Sequence, residues 1–184
     1  MKKFVYLIAE GVLDVVVLTQ ILRSEFKFDE VKRKADLPEE ASKWLSQFKW
    51  PEGDDIKRRT VPAPAFLIDE RFCVAIRNSQ GITNIRRTMI SDHEAFLRLD
   101  LNPSAVGIVL DSDDVPPADR FNEFAELLEE RGYSRPQVLE TITSTDGPPV
   151  GVFAFPGRGA EGTREDVLLP LGGNPISGTS QARR

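Results

Sequence analysis

Residues 105–114 have the sequence AVGIVLDSDD, in which an apolar run leads directly into three carboxylates within four positions. A continuous apolar run of this kind is typical of a strand that is buried on both faces. Two like charges about 4 Å apart repel each other by about 1 kcal/mol in bulk water, and by several times that near a protein surface. We therefore expect a cation beside Asp111, Asp113 and Asp114, where this strand ends.

Similar apolar runs alternate with amphipathic segments along the chain, and this alternation predicts an α/β fold. Strands are predicted over residues 4–9, 72–76, 105–110 and 150–155, with a possible further strand over 138–142. Helices are predicted over residues 12–24, 85–99 and 118–131, with a short one over 39–48. Because strands that alternate with helices usually run parallel, we expect a three-layer sandwich with a mostly parallel central sheet.

The length of 184 residues fits one domain with a sizeable core. We expect this domain to span residues 1–169. Residues 26–70 are more polar and are interrupted by proline and glycine, so we interpret them as a possible insertion or flap. Residues 170–184 contain almost nothing to bury and are predicted to form a disordered tail.

The composition excludes several kinds of site. The chain has one cysteine, Cys73, and one histidine, His93, which excludes an internal disulfide and a zinc site built from these residue types. Cys73 lies in an apolar run and is predicted to be a buried small hydrophobic residue. No segment approaches the ~20 apolar residues that span a bilayer, and the apolar N-terminus lacks a signal-peptide cleavage site. We therefore expect a soluble, cytoplasmic protein that does not bind membranes.

The charge distribution bears on nucleic acid as a partner. The net charge of −5 argues against a generally basic surface. Basic residues nevertheless cluster locally, which leaves room for a basic path along which DNA or RNA binds. The candidate members of this path are Arg86, Arg87 and Arg158.

Acidic turns follow apolar segments at three places in the sequence. The carboxyl ends of parallel strands meet at one edge of a sheet, so these turns are expected to converge there. Oxygen ligands without histidine or cysteine favour Mg²⁺ or Mn²⁺. The candidate metal ligands are Glu10, Asp111, Asp113 and Glu165. The candidate catalytic residues are Glu10, as a general acid or base, and Asp14.

Each acid also has a purely structural interpretation. Asp113 could be a turn or cap residue before the helix 118–131. Asp14 could be a first-turn acid that the helix dipole favours. Glu165 could be the solvated start of a short terminal helix that Thr163 caps. The metal site is favoured over these separate explanations because the acids follow strands in the order that one site needs.

Residues 157–162 (GRGAEG) match the glycine spacing of a dinucleotide-binding loop and follow a predicted strand. That motif needs a further helix, a further strand and an acidic residue about 20 positions on. The 22 residues after Gly162 contain no such strand. We therefore interpret the glycines as a loop that brings Glu165 to the acidic edge.

The acidic turns also carry a resemblance to a known family. Residues 9–16 (AEGVLDVV) resemble the first motif of the Toprim domain of primases, topoisomerases and related nucleases, and are most similar to the bacterial primase form. Residues 108–113 (IVLDSD) resemble the second Toprim motif. Residues 162–169 (GTREDVLL) are similar to the end of small stand-alone Toprim-like proteins. The chain has Leu13 where some of these families have a basic residue, and Arg164 where the stand-alone proteins have leucine.

The resemblance implies a Toprim fold that binds Mg²⁺ through Asp111 and Asp113, with Glu10 as a further ligand or a general acid or base. It also implies an activity on nucleic-acid phosphodiesters, so we expect a nuclease or a nuclease-like protein. The alternative is a non-catalytic module that binds nucleic acid or a partner protein in a metal-dependent way. A third interpretation, an α/β domain with acid-rich loops and no metal, also stays open.

Overall fold

The computed structural model describes residues 2–48, 63–111, 115–145, 147–155 and 157. The strands in these ranges are β1 (Lys3–Ala9), β2 (Asp29–Glu30), β3 (Ala65–Ile68), β4 (Phe72–Asn78), β5 (Ala105–Asp111), β6 (Ile142–Thr143) and β7 (Val150–Phe155). The helices are α1 (Val12–Ser24), α2 (Glu39–Leu45), α3 (Ile82–Arg98) and α4 (Pro117–Glu130). None of these helices is both long enough and apolar enough to cross a membrane.

The strands form one sheet in the order β2-β3-β4-β1-β5-β7-β6. The four central strands β4, β1, β5 and β7 are parallel, and β2, β3 and β6 add antiparallel pairs at the two sides. Helices pack on both faces of the sheet, which confirms the predicted three-layer α/β sandwich with a mostly parallel central sheet. The parallel strands end together, at Ala9, Asn78, Asp111 and Phe155, and we call this side of the sheet the carboxyl edge.

The apolar run of β1 supplies both layers of the core. Phe4, Tyr6 and Ile8 are buried in the larger cluster, with side chains from α2, α3 and α4. Val5 and Leu7 point to the opposite face, where they pack in a smaller cluster with α1. The connections from β1 to β4 and from β4 to β5 run in opposite directions along the sheet. Because such crossovers are right-handed, α1 lies on one face and α3 and α4 lie on the other.

The described part of the region 26–70 is joined to this core. β2 and β3 extend the sheet beside β4. Trp44 and Leu45 of α2 have no exposed surface and pack in the larger cluster. Residues 49–62 lie outside the described ranges, as does the predicted tail 170–184.

Two element boundaries differ from the sequence prediction for local reasons. α3 begins at Ile82 and not at 85, because Gly81 adopts a positive φ of 115° that turns the chain directly into the helix. The predicted strand 138–142 is reduced to Ile142–Thr143. Glu140 has a φ of 61°, and the Thr141 N–H donates to Val138 O in a turn, which breaks the extended conformation.

The single cysteine occupies the place that the sequence predicts. Cys73 is fully buried in β4 and is a free thiol. Burial raises the pKa of this thiol to about 12, which keeps it protonated and unreactive at neutral pH.

Candidate functional site

Glu10 follows the last residue of β1 and is held from both sides by backbone hydrogen bonds. Its N–H donates to Val109 O at 3.1 Å, and its carbonyl accepts from the Gly81 N–H at 2.8 Å. The hydroxyl of Ser79 also donates to Glu10 O, at 3.0 Å. These bonds join the ends of β1, β4 and β5, so the backbone of Glu10 has a fixed position at the carboxyl edge.

The Glu10 carboxylate lies against the end of the neighbouring strand. The backbone N–H of Asp111 donates to Glu10 Oε2 at 3.2 Å. Asp111 is the last residue of β5 and is 6% exposed, whereas Glu10 is half-buried. The expectation that the carboxyl ends of parallel strands meet at one edge of the sheet is therefore correct for Glu10 and Asp111, although these residues lie 101 positions apart in the sequence. The printed contact joins the Glu10 carboxylate to the backbone of Asp111, and carboxylate oxygens of this kind are the ligands that a hard cation such as Mg²⁺ prefers.

The remaining predicted ligands fall outside the described residues. Asp113, Glu165 and the basic candidate Arg158 all lie in ranges that the structure does not describe. Within the described ranges, no three histidine, cysteine, aspartate or glutamate side chains form a group that could hold a metal ion. The described part of the candidate site is therefore the pair Glu10 and Asp111.

Asp14 lies in the first turn of α1 and is fully buried. Its Oδ2 accepts a hydrogen bond from the Gly11 N–H at 2.7 Å, so the side chain reaches back to the residue that precedes the helix. This is one half of a capping box, which satisfies a backbone donor at the helix start. The observed geometry assigns Asp14 a capping role, and its predicted catalytic role stays a prediction.

We expect the change Asp14→Ala to lower the free energy of unfolding by about 1–2 kcal/mol, because the partly buried Gly11 N–H loses its side-chain acceptor. Urea unfolding followed by circular dichroism measures this loss. Asp119→Ala is the matched control, since Asp119 is an exposed acid in the first turn of α4. The control is expected to cost about 0.5 kcal/mol, which is the helix-dipole contribution alone. Equal losses in the two variants would contradict the capping role.

Ser79 is a positioning residue that the sequence interpretation did not select. It is 4% exposed, its N–H donates to Ala9 O at 2.9 Å, and its hydroxyl bonds the carbonyls of Glu10 and Gly81. The sequence signal was the turn 78–81 (NSQG) after a strand. A serine in such a turn does not by itself show which strand end it will contact, because that depends on the strand order.

The two described basic candidates lie on α3. Arg86 and Arg87 are exposed in its second turn. One guanidinium nitrogen of Arg86 is 2.6 Å from Glu130 Oε2 at the end of α4. Arg86 therefore has an acidic neighbour in the folded chain, which reduces the positive potential it offers to a phosphate.

Apolar side chains are exposed next to the acidic pair. Val12, Leu13 and Val16 are 64%, 55% and 56% exposed on the first turns of α1. This helix starts two residues after Glu10. A hydrophobic surface therefore lies near the candidate site.

A profile of the family described as "Protein of unknown function (DUF3226)" matches residues 5–182, so the chain belongs to this family. Its fold is similar to the crystal structure of the hypothetical protein PH0156 from Pyrococcus horikoshii OT3, with a TM-score of 0.52 and 19% sequence identity. That match covers 81% of this chain and 54% of PH0156, so the chain spans about half the length of that protein.

A second crystal structure with a more distant similarity is that of PbaA from Pyrococcus furiosus, an archaeal homologue of a proteasome-assembly chaperone. The TM-score is 0.35 at 13% identity, over 84% of this chain and 68% of PbaA. A comparison with curated protein sequences finds no match.

Proposed function

We propose that this member of the DUF3226 family binds Mg²⁺ or Mn²⁺ at the carboxyl edge and acts on nucleic-acid phosphodiesters, as a nuclease or a nuclease-like protein. The observation that supports the proposal is the contact between the Glu10 carboxylate and the Asp111 backbone, 3.2 Å apart, at the ends of adjacent parallel strands. Asp113 and Glu165 complete the proposed ligand set. The Toprim-like motifs around Glu10 and Asp111 support the same assignment.

The donor set fits the chemistry of this cation. Mg²⁺ in proteins is usually held by one or two carboxylates, with water and phosphate oxygens in its other positions. A bound Mg²⁺ would supply neutralisation of the negative charge on the reacting phosphoryl group. Glu10 is fixed by its backbone bonds, so its carboxylate is positioned either as a ligand or as the group that accepts a proton from the attacking oxygen.

The proposal predicts that metal affinity depends on these acids. We expect Glu10→Gln and Asp111→Asn each to weaken Mn²⁺ binding by about tenfold or more, measured by titration calorimetry, because each removes one negative ligand. Glu10→Gln keeps an oxygen that accepts from the Asp111 N–H, so the fold is preserved. Asp119→Asn, on the exposed start of α4, is the control with the same charge change. Unchanged affinity in both site variants would refute the metal site.

The catalytic part of the proposal has its own test. Labelled single-stranded DNA, double-stranded DNA and RNA are incubated with the protein and Mn²⁺. Metal-dependent cleavage that Asp111→Asn abolishes is expected. Cleavage that is equal in the wild type and in this variant would show a contaminating nuclease and would contradict the assignment.

The second candidate is a non-catalytic module that uses the metal to bind nucleic acid or a partner protein. The exposed apolar residues Val12, Leu13 and Val16, near Glu10, favour this candidate because a protein partner could bury them. Fluorescence polarisation with the same oligonucleotides separates the two candidates. Metal-dependent binding without cleavage supports the module, and cleavage supports the enzyme.

A further inference from the structure

A cavity of about 270 Å³ lies where the ends of α3 and α4 approach each other, on the side of the sheet where β5 begins. It is lined by residues of α3, by the segment 101–103 that leads into β5, and by residues 131–133 after α4. The seven residues of β5 extend for about 20 Å, so the cavity is well separated from Asp111 at the carboxyl edge. Its volume is close to the lower end of the range of about 300–1,000 Å³ that is typical of small-ligand pockets.

The C-terminus of α4 places an arginine in the wall of this cavity. The helix ends at Arg131, and Gly132 follows with a positive φ of 81°. The Gly132 N–H donates to Glu129 O at 2.9 Å. The Tyr133 N–H donates to Leu128 O at 3.1 Å. This pair of bonds is a Schellman motif, so Arg131 and Tyr133, which both line the cavity, have fixed backbone positions.

The guanidinium of Arg131 contains a buried donor without an acceptor. Its Nε is buried and has no hydrogen-bond partner among the described residues. The two acids that precede it in the sequence are paired with other arginines. Glu129 Oε2 lies 2.9 Å from Arg135, and Glu130 Oε2 lies 2.6 Å from a nitrogen of Arg86. Because buried donors are almost always hydrogen-bonded in folded proteins, an acceptor is expected beside Arg131.

The remaining lining favours an anion with an apolar part. Although the chain has a net charge of −5, the described lining contains no acidic side chain. The rings of His93 and Tyr133 lie 5.5 Å apart, and Asn102 adds an amide. Burial and the charge of Arg131 lower the pKa of His93, and Glu94 opposes this, so the imidazole is neutral at neutral pH and offers one N–H donor. The other lining side chains are apolar: Phe96, Leu97, Leu101, Pro103 and Pro148.

We propose that this cavity binds a small organic oxyanion, a carboxylate or a phosphate monoester, through the guanidinium of Arg131. Guanidinium nitrogens form charge-assisted hydrogen bonds with the oxygens of both groups. The apolar part of the ligand packs against Leu97 and Leu101. The site goes beyond the proposed metal chemistry, since it lies at the other end of β5 and uses none of the acids at the carboxyl edge.

The only histidine of the chain reports directly on this cavity. The imidazole proton resonances of His93 are followed by NMR in the untagged protein, at fixed pH, while benzoate or phenyl phosphate is added. A saturable shift with a dissociation constant below about 1 mM is expected for at least one of these probes, and the tighter one identifies the charged group. Benzyl alcohol and inorganic phosphate, which lack the charge and the apolar part respectively, are expected to bind at least about tenfold more weakly. No saturable shift with either anion, or equal affinity for benzyl alcohol or inorganic phosphate, overturns the proposal.

Two variants locate the binding site. Arg131→Met is expected to weaken binding of the tighter anion by about tenfold or more, whereas Arg135→Met, which removes the same charge from an exposed arginine, leaves it unchanged. Leu97 lines the cavity and is 69% exposed, so Leu97→Glu adds a repelling carboxylate without changing the core. It is expected to weaken binding by about fivefold relative to Leu97→Gln. Unchanged affinity in a folded Arg131→Met variant overturns the proposal. If that variant does not fold, equal affinity in Leu97→Glu and Leu97→Gln overturns it instead.

Discussion

The change Trp44→Ala is expected to lower the free energy of unfolding by about 3–5 kcal/mol, because it empties the centre of the larger core cluster. Trp44 has no exposed surface. Its ring lies 5.2 to 6.2 Å from the rings of Phe4, Tyr6, Phe48, Phe66 and Phe96. These rings belong to β1, β3, α3 and the segment after α2, so this one side chain packs the helices of one face against the sheet.

The variant Trp44→Phe distinguishes the effect of the ring volume of Trp44 from the effect of its indole N–H. The indole Nε1 is buried and has no hydrogen-bond partner within the described residues. Trp44→Phe removes this donor while keeping an aromatic ring, so it is expected to cost clearly less than Trp44→Ala. Leu97→Ala, at an exposed position of α3, is the control and is expected to change stability by less than about 0.5 kcal/mol.

Urea unfolding followed by circular dichroism measures all three variants. A loss of under about 1 kcal/mol for Trp44→Ala would contradict the core role, since surface substitutions have effects of that size. It would also favour the interpretation of residues 26–70 as an insertion or flap. The measurement therefore bears on the domain organisation as well as on the core.

The bounds of helices and strands are predicted best where the local sequence pattern agrees with how the element packs in the fold. α1 begins and ends at the predicted residues, Val12 and Ser24, because Gly11 separates an apolar strand from a helical repeat. The bounds of β7 are also predicted correctly, over 150–155, from a short apolar run. β2 and β3 were not predicted, because strands of two and four residues leave no periodic pattern.

The same contrast between general rules and the actual packing explains why the candidate site was predicted only in part. The approach of Glu10 to Asp111 follows from a general rule about parallel strands, so the sequence was sufficient. The contacts of Ser79 depend on β4 lying beside β1, and the sequence does not show the order of strands. The sequence offered Asp14 as a catalytic residue or as a first-turn acid that the helix dipole favours, and its hydrogen bond from the Gly11 N–H became visible only in the structure.

A buried charge network behind the sheet was not predicted from the sequence. The Tyr6 hydroxyl donates to Asp92 Oδ2 at 2.8 Å, and Arg77 Nε lies 3.3 Å from the same oxygen. The Arg77 guanidinium also lies over the ring of Phe48, 4.7 Å from its centre. The side chains of Asp92 and Arg77 are 7% and 18% exposed. Burial raises the pKa of Asp92, and the nearby Arg77 opposes this rise.

The change Arg77→Met is expected to lower the free energy of unfolding by about 3–5 kcal/mol at neutral pH, because it leaves a buried carboxylate without its cation. Methionine keeps an unbranched apolar side chain against Phe48, so most of the packing is preserved. Burial places the pKa of Asp92 above its ordinary value of 3.8, and the loss of Arg77 raises it further. In the folded variant, the Asp92 carboxyl therefore keeps its proton to a higher pH than it does in the unfolded chain.

The sign of the pH dependence follows from this linkage. Because the pKa of Asp92 is higher in the folded state than in the unfolded chain, protonation of Asp92 stabilises the fold. This stabilisation is fully present below pH 3.8 and is lost as the pH rises through the folded-state pKa. The deficit of Arg77→Met relative to the wild type is therefore expected to be smaller near about pH 4.5 than near about pH 8. Urea unfolding at both values measures the difference.

The double variant Arg77→Met with Asp92→Asn distinguishes charge from packing. If the deficit arises from an unpaired carboxylate, removing that carboxylate recovers part of it, with a coupling energy of about 0.5–3 kcal/mol, and the deficit no longer depends on pH. A deficit that is the same at both pH values, and that Asp92→Asn does not reduce, would show that Arg77 stabilises the fold through its contact with Phe48 alone. The network would then contribute packing, and the raised pKa of Asp92 would have no part in the stability of the chain.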